Sequence, residues 1–165
     1  MVISNSSPLI HLTRLGKIKY LFKLVKNIKI PKAVFDEVVV KGKLKNYSEA
    51  FIIESFVKEE KIIVIKLKSF DESFYPPLGR GELETLELAK QKNELLLIDE
   101  KKARNLAQIL QIEHQTTIAT IFELLISQNI SYSEYKANLK YYADNSWVSA
   151  DVIQEYIEKG ADYGK

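Results

Sequence analysis

Short apolar stretches alternate with amphipathic stretches along most of the chain, and this alternation strongly limits the folds it can adopt. The apolar stretches predict strands at Met1 to Ser4, Ile28 to Ile30, Ile62 to Leu67, Leu95 to Asp99 and near Glu113 to Thr116. The sequence LLLID, apolar until Asp99, is typical of a strand buried on both faces. Strands that alternate with helices predict right-handed crossovers and a parallel sheet covered by helices on both sides.

Helix signals fill the intervals between these strands. Ser7 and Pro8 predict a cap and a first helical residue, and apolar residues follow at helical spacing as far as Gly16. Further helices are predicted through Leu21 to Val25, from Pro31 through Val38, and after a cap at Ser48 as far as Phe56. Helices are also predicted over Glu82 to Lys92, Glu100 to Leu110, Ile118 to Gln128, Ser133 to Tyr142 and Ala150 to Lys159, the last with Ser149 as its cap and Gly160 as its stop. Lys68 to Arg80 is the longest irregular stretch, and such loops are often functional.

Length and composition exclude several classes of protein. The 165 residues predict a single domain, with a core of about residues 1–128 and a helical extension of about 131–160. The absence of cysteine excludes a disulfide scaffold, a thiolate zinc site and a cysteine nucleophile. The sequence has neither an apolar run long enough for a bilayer helix nor a signal-peptide pattern at Met1. These features predict a cytoplasmic protein.

Charge is distributed unevenly, although the net charge is only +2. Residues 1–35 contain seven cations and no acid, and the remainder holds 17 cations against 22 acids. This asymmetry suggests a basic face beside an acidic feature, and solvated helix surfaces explain the lysines equally well. His11 and His114 are far apart in sequence and lack the spacing of metal ligands, so a histidine metal site is not expected.

Polar residues recur where the predicted strands end. In an open parallel sheet, ligands bind beyond the carboxyl ends of the strands. Asn5, Ser6 and Ser7 follow the first strand, and Asp99 ends LLLID. Glu82 begins a helix after the Gly81 turn, and Glu37 lies in the helix after the second strand. Clustered carboxylates repel one another, so such a pocket favours a divalent cation, and oxygen ligands favour Mg²⁺ or Mn²⁺, which can activate water against a phosphodiester.

Each of these residues also has a purely structural interpretation. Asn5 and Asp99 stand where helix caps are expected, and Glu82 would be favoured by the helix dipole. Glu37 shares a polar helix face with Lys32 and Asp36, which is typical of solvent exposure. Ser6 is a cap or a donor to a ligand, Thr117 a cap or a hydroxyl at the rim of the pocket. Glu84, predicted to face away from Glu82, is a reserve candidate.

Several segments together resemble the PIN-domain family, in a branch similar to VapC toxins. The resemblance covers about residues 2–128 and is carried by ISNSSPLIHLTRLG (3 to 16), IPKAVFDEV (30 to 38), GRGELETLELA (79 to 89), LLLIDEKKAR (95 to 104) and the turn at Thr117. It implies a Rossmann-like three-layer α/β/α fold with a central parallel sheet of four to five strands, and a metal-dependent endoribonuclease site. The family's acids fall on Asn5, Glu37, Glu82 and Asp99, and its hydroxyl positions on Ser6 and Thr117. A small antitoxin and a homodimer are the partners that it implies.

The leading hypothesis is a Mg²⁺- or Mn²⁺-dependent ribonuclease acting on single-stranded RNA. Asn5, Glu82 and Asp99 would hold the ion, and Glu37 would orient water or complete the coordination. Arg80 and Arg104 would contact the RNA backbone or form ordinary salt bridges.

Asn5 motivates a competing hypothesis, because an amide is a weaker ligand for a hard cation than the acid expected there. The chain would then be a catalytically weak module that binds RNA or an antitoxin. A third hypothesis is self-association through the aromatic tail, for which core packing is the default interpretation; the tail contains Tyr132, Tyr135, Tyr141, Tyr142 and Trp147.

Overall fold

The computed structural model describes residues 1–68, 70 and 72–164. The chain divides into two compact units, Met1–Gln115 and Thr116–Lys165. The single domain over residues 1–165 stays a prediction. Within the described residues, no helix is both long and apolar enough to cross a bilayer.

The first unit is built on a five-stranded, all-parallel sheet, which confirms the predicted fold class. Its strands are β1 (Val2–Ser4), β2 (Ile28–Pro31), β3 (Ile62–Ile65), β4 (Leu95–Leu97) and β5 (His114–Gln115). They lie in the order β3-β2-β1-β4-β5, with β1 at the centre. The register pairs Val2 with both Ile28 and Leu95. The central strand is therefore enclosed by apolar residues from both sides.

Helices connect the strands in a three-layer α/β/α arrangement. In the first unit they are α1 (Ser6–Arg14), α2 (Ile18–Leu24), α3 (beginning with Lys32–Phe35), α4 (Ser48–Lys58), α5 (Arg80–Lys92) and α6 (Lys101–Ile109). One part of the core packs Ile3, Leu96 and Ile98 of the sheet against Leu86 of α5 and Leu106 of α6. Burial of these apolar side chains is the main force that fixes the helices on the sheet.

The strand order creates a topological switch point beside β1. The chain proceeds from β1 outward to β2 and β3, then returns to the other side of β1 to form β4 and β5. The connections that leave β1 and β4 consequently diverge and open a crevice at the carboxyl ends of these two strands. Asn5 follows β1 directly, and Asp99 lies two residues beyond the end of β4.

Helix α3 changes its winding after one turn. Lys32–Phe35 is α-helical, Asp36–Lys41 is a π-helix, and Gly42–Leu44 returns to the α form. In a π-helix the hydrogen bonds run between residues five apart, and such segments frequently occur at functional sites. The sequence predicted a helix here without this change in winding.

Several helix boundaries differ from the prediction, and α1 shows why. Helix α1 begins at Ser6 rather than after Ser7, because the Asn5 N–H still donates to Leu97 O (3.0 Å) and the helix follows directly from the sheet. Pro8 is tolerated as the third residue of α1 because the first N–H groups of a helix have no partner within it. Ser48 is the first residue of α4 rather than its cap.

The long predicted loop contains a short 3-10 turn, Glu72–Phe74. Ser69 and Asp71 of this loop lie outside the described residues. Tyr75 OH donates a hydrogen bond to Glu87 of α5. Burial, together with the bond to and charge of Glu87, raises the pKa of Tyr75 to about 12. This contact attaches the end of the loop to α5, the helix that carries Glu82.

The second unit consists of α7 (Thr117–Ile126), α8 (Tyr132–Asn145) and α9 (Ala150–Ala161). Tyr135 and Tyr142 are buried, so core packing accounts for these two tail aromatics, whereas Trp147 is fully exposed. Ser149 caps α9 as predicted, its Oγ accepting from the Val152 N–H. Gly160 does not end α9; it lies within the helix and is buried against the ring of Tyr135.

Candidate active site at the sheet switch point

A cavity of about 740 Å³ lies beyond the carboxyl ends of the central strands. Its walls are formed by residues that follow β1 and β2 and by the start of α5. The lining residues are Asn5, Ser6, Ser7, Lys32, Ala33, Asp36, Glu37, Lys41, Gly79, Arg80, Gly81, Glu82 and Glu84. The cavity therefore brings together Asn5, Glu37 and Glu82, three of the four residues predicted to carry the chemistry.

Asn5 and Ser6 form the floor of this cavity. Both are buried, with 5% and 6% of their surface exposed. Asn5 occupies the cap position of α1, yet its side chain makes no capping hydrogen bond. Capping therefore does not account for the Asn5 side chain. Ser6 Oγ donates to Glu37 Oε2 (2.7 Å), which fixes the position of that carboxylate over the floor.

Gly81 marks the point where Asn5 and Glu37 converge. A Cβ atom built on residue 81 would lie 3.2 Å from Glu37 Oε2 and 3.8 Å from Asn5 Oδ1. Both oxygens thus lie close to the small space that a Cβ atom at residue 81 would occupy. The sequence offered Gly81 as a turn residue, and its closeness to these two oxygens was not predicted.

Glu82 has two roles that the sequence could not separate. Its carboxylate accepts a hydrogen bond from the Gly79 N–H (2.8 Å), which satisfies a backbone donor ahead of α5. The same side chain lines the cavity. The structural interpretation of Glu82 is therefore correct, and the functional one stays a prediction.

Glu84 was expected to face away from this site, but it lines the same cavity. Its Oε2 accepts from the Ala33 N–H (3.1 Å), and its Oε1 accepts from Arg80 Nε (2.9 Å). These bonds connect the first turn of α3 to α5. The hydrogen bond to Glu84 and the charges of Glu84 and Glu72 raise the pKa of Arg80.

Asp99 lies beyond β4, beside the segment that carries Asn5. Strand register pairs Ser4 with Leu97, so Asn5 and Asp99 both follow the same end of two adjacent strands. The prediction that Asp99 caps the next helix is wrong, because α6 begins at Lys101 with Glu100 as its cap residue. Asp99 is half-buried and is not among the residues that line the cavity. Its position after the strand was predicted; its sharing of an ion with Glu37 and Glu82 stays a prediction.

His11 is electrostatically coupled to Asp99. Burial lowers the pKa of His11, the charge of Asp99 raises it, and Arg14 lowers it further, with a net decrease. Sequence spacing could not have shown this pairing, because it joins α1 to the end of β4.

The remaining predicted residues have separate outcomes. Arg80 lines the cavity and forms the salt bridge to Glu84 that was one of its two interpretations. Arg104 is half-buried in α6 and does not line the cavity. Thr117 is fully buried in the second unit, and the cap of α7 is Thr116, whose Oγ1 accepts from the Ala119 N–H (3.3 Å). The cap interpretation of Thr117 is therefore off by one residue.

The donor chemistry at the cavity fits a hard divalent cation. Across residues 1–68, 70 and 72–164, no group of three or more His, Cys, Asp and Glu side chains could hold a metal ion. Mg²⁺, however, is usually bound through one or two carboxylates, with water and substrate phosphate completing its coordination. Asn5 Oδ1 and Glu37 Oε2, facing the same space, meet this smaller requirement.

Replacing Gly81 with alanine should lower activity and leave the fold intact. The new Cβ would press on Glu37 Oε2 and Val34 Cγ2, which lie 3.2 Å and 3.5 Å from its position. Alanine also favours helix over glycine by about 1 kcal/mol, which offsets this crowding. For the ribonuclease activity that the sequence predicts, we expect a roughly tenfold lower rate, about 1.4 kcal/mol, with a melting temperature within about 3 °C of wild type. Equal loss of rate and stability would show that the residue acts through folding alone.

Comparison with known proteins gives the class of this chain. The PIN domain, as a family, matches residues 1–161, and the chain belongs to the PIN-domain family. Its fold is of the nuclease type, since PIN domains are generally nucleases. Among curated proteins, none matches the chain.

The chain is also similar to a solved structure described as "A domain of a functionally unknown protein from Methanocaldococcus jannaschii DSM 2661". The two share 22% sequence identity over 70% of this chain and 89% of that one, with a TM-score of 0.49.

Proposed function

We propose that this protein is a divalent-metal-dependent endoribonuclease that hydrolyses phosphodiester bonds of single-stranded RNA. One observation carries the proposal: Asn5 Oδ1 and Glu37 Oε2 face the same space at the switch point of a PIN-domain sheet. Two oxygens on one small space offer a binding point for a cation, and the adjoining cavity leaves room for a phosphodiester.

Individual residues have distinct roles in this proposal. Asn5, Glu82 and Asp99 would hold Mg²⁺ or Mn²⁺, which when bound would lower the pKa of water and polarise the phosphate. Glu37 would orient the attacking water or complete the coordination, and Ser6 keeps the Glu37 carboxylate in place through its 2.7 Å hydrogen bond. Arg80, whose side chain is 73% exposed, contacts the RNA backbone from the rim. Arg104 keeps its predicted role as a contact to the RNA backbone, and this mechanism gives no step to Thr117, which belongs to the second unit.

Metal-dependent cleavage tests the proposal directly. Single-turnover assays on a mixed pool of single-stranded RNA should show cleavage with Mn²⁺ and none with EDTA. Asp99→Asn keeps the size of the side chain and removes its charge, so we expect a rate at least about tenfold lower than wild type, or about 1.4 kcal/mol. Asp151→Asn, an exposed acid of α9, is the matched control and should cleave at the wild-type rate. Equal rates for wild type and Asp99→Asn would overturn the assignment of Asp99.

Asn5 supports a second candidate function, a weakly catalytic module that binds RNA or an antitoxin. The supporting observations are the neutral amide of Asn5 and the absence, within the described part of the chain, of three acids grouped for a metal. Asn5→Asp distinguishes the two functions in the same assay. A large gain in rate indicates a disabled site, whereas an unchanged rate in an active enzyme indicates a working variant.

The biological role is a further part of the proposal. The resemblance to VapC toxins supports a toxin of a toxin–antitoxin pair, with a small antitoxin and a homodimer as partners. Co-purification with the product of the neighbouring open reading frame, followed by sedimentation analysis, measures both. A chain that purifies alone as a monomer contradicts this role and leaves the proposed chemistry standing.

A further inference from the structure

The segment that leaves the cavity is basic and exposes apolar and aromatic side chains. Residues 40–48, VKGKLKNYS, contain three lysines and no acid. Leu44 is 81% exposed, Tyr47 46% and Phe51 48%. Exposed aromatic rings interleaved with lysines are typical of surfaces that bind single-stranded nucleic acid, because bases stack on the rings and phosphates pair with the ammonium groups.

Lysine side chains lie next to both aromatic rings. Lys45 Nζ is 5.9 Å from the centre of the Tyr47 ring, and Lys43 Nζ is 5.6 Å from that of Phe51. Each pair therefore combines an exposed aromatic ring with a positive charge that lies over it. Lys43 is also bound to Glu54 (2.7 Å), which compensates part of its charge.

Lys41 connects these pairs to the cavity. It ends the π-helix, and the five-residue hydrogen-bond spacing of that helix places it one turn beyond Asp36, with both residues lining the cavity. The other lining cations, Lys32 and Arg80, are paired with Asp36 and Glu84. No ion pair within the described part of the chain involves Lys41.

The segment of residues 40–48 is also continuous with the cavity along the backbone. The Tyr47 N–H donates to the carbonyl of Gly42, the residue after Lys41 (3.0 Å). The backbone of Tyr47 is thus held against the residue next to the cavity rim. Going outward from the cavity, Lys41 at the rim therefore comes first, and the residues that carry the two aromatic rings follow.

We propose that Lys41, Lys43, Lys45, Tyr47 and Phe51 form a binding track for single-stranded RNA that leads into the cavity. This inference rests on the proposed function. Lys41 neutralises a backbone phosphate at the rim, where the carboxylates of Asp36 and Glu37 would otherwise repel it. Tyr47 and Phe51 stack bases of the nucleotides outside the cavity, without sequence preference.

Equilibrium binding tests the track separately from cleavage. The probe is a fluorescein-labelled single-stranded RNA of mixed sequence, measured by anisotropy in EDTA, so that the result does not depend on turnover. Tyr47→Ala and Phe51→Ala should each raise Kd about tenfold, and Tyr47→Phe should keep the wild-type affinity because it keeps the ring. Lys41→Ala should raise Kd and reduce the slope of log Kd against log salt by about 0.7.

Tyr20 provides a matched control. Its ring also lies beside two lysines, with Lys17 and Lys23 at 5.2 Å and 4.8 Å from its centre. It belongs to α2, however, which leads into the amino end of β2 rather than to the cavity. Tyr20→Ala should therefore leave Kd within about twofold of wild type, a change below about 0.4 kcal/mol.

Each outcome separates the track from the proposed function. Weaker binding by the track variants, with wild-type binding by Tyr20→Ala, supports the track even in a chain that does not cleave RNA. Normal cleavage and normal affinity in Tyr47→Ala/Phe51→Ala overturn the track and leave the nuclease proposal standing. Unchanged RNA affinity in these variants, together with a loss of dimer in sedimentation, also overturns the track. That outcome identifies the track residues as a protein interface.

Discussion

Replacing Glu37 with glutamine is expected to lower the single-turnover rate of RNA cleavage by at least about 100-fold, or about 2.7 kcal/mol of transition-state stabilisation. Glutamine matches glutamate in size and still accepts the hydrogen bond from Ser6 Oγ, so the side chain should stay in place. The substitution removes only the charge. Because Asn5 is already neutral, the space shared by Asn5 Oδ1 and Glu37 Oε2 would then hold no negative charge from either side chain.

The neighbouring acid provides a matched control. Asp36 lies in the same π-helix and lines the same cavity, but its carboxylate is paired with Lys32. Asp36→Asn should change the rate by less than about threefold, or about 0.7 kcal/mol. An equal loss in both variants would mean that overall negative charge, rather than the placement of Glu37, governs the rate.

The effect of Mn²⁺ on the melting temperature tests the role of Glu37 without an activity assay. A ligand that binds only the folded chain raises the melting temperature. Mn²⁺ should therefore stabilise the wild type, and this stabilisation should shrink in Glu37→Gln while the melting temperature in EDTA stays unchanged. An identical response to Mn²⁺ in both proteins would remove Glu37 from the cation site.

Gly160→Ala is expected to destabilise the second unit by about 2 kcal/mol or more. A Cβ at residue 160 would lie 2.2 Å from Tyr135 Cε1 and 3.0 Å from its Cδ1 and Cζ. The ring has little room to move, because Tyr135 is fully buried and its hydroxyl donates to Tyr156 O (2.6 Å). Overpacking typically costs about 1–3 kcal/mol and here exceeds the gain of about 1 kcal/mol in helix propensity.

Circular dichroism measures this effect. Thermal melts should show a transition about 5 °C or more below wild type, followed in the near-ultraviolet signal of the tyrosines. Glu158→Ala is the control, since it alters an exposed position of the same helix. If the clash with the ring is the cause, Tyr135→Leu and Gly160→Ala should be non-additive, with the second change less harmful in the presence of the first. Additive effects would place the cause elsewhere.

The fold could be predicted because its determinants are local and repeated. Each strand is a short apolar run, and each connection carries helix signals, so the alternation alone indicates a parallel sheet. The strand ends could be predicted for the same reason, and these locate Asn5 and Asp99 at one edge of the sheet. The π-helix could not be predicted from the sequence, because Asp36–Lys41 has the composition of an ordinary amphipathic helix.

The prediction for Glu84 failed for a related reason. Residues two positions apart on an ideal helix face different directions, so their spacing predicts different surfaces for Glu82 and Glu84. At the start of α5, however, the Glu82 carboxylate turns back to the Gly79 N–H, and Glu84 reaches the Ala33 N–H of α3. Both side chains then border one cavity. The spacing of residues along one helix does not show which residues of another helix they contact.

The amino-acid sequence by itself determined the layered parallel fold and the set of oxygen-bearing side chains that follow its strands, since both depend on hydrophobic period and chemical type along the chain. Only the tertiary structure decided which of these side chains meet. It placed Asn5 and Glu37 on the space beside Gly81, added Lys41 to the rim and left Thr117 buried within α7. The physical reason is that contacts between distant side chains depend on helix winding and on packing between segments far apart in sequence. A shift of a few tenths of an ångström changes such contacts, and no local sequence pattern encodes them.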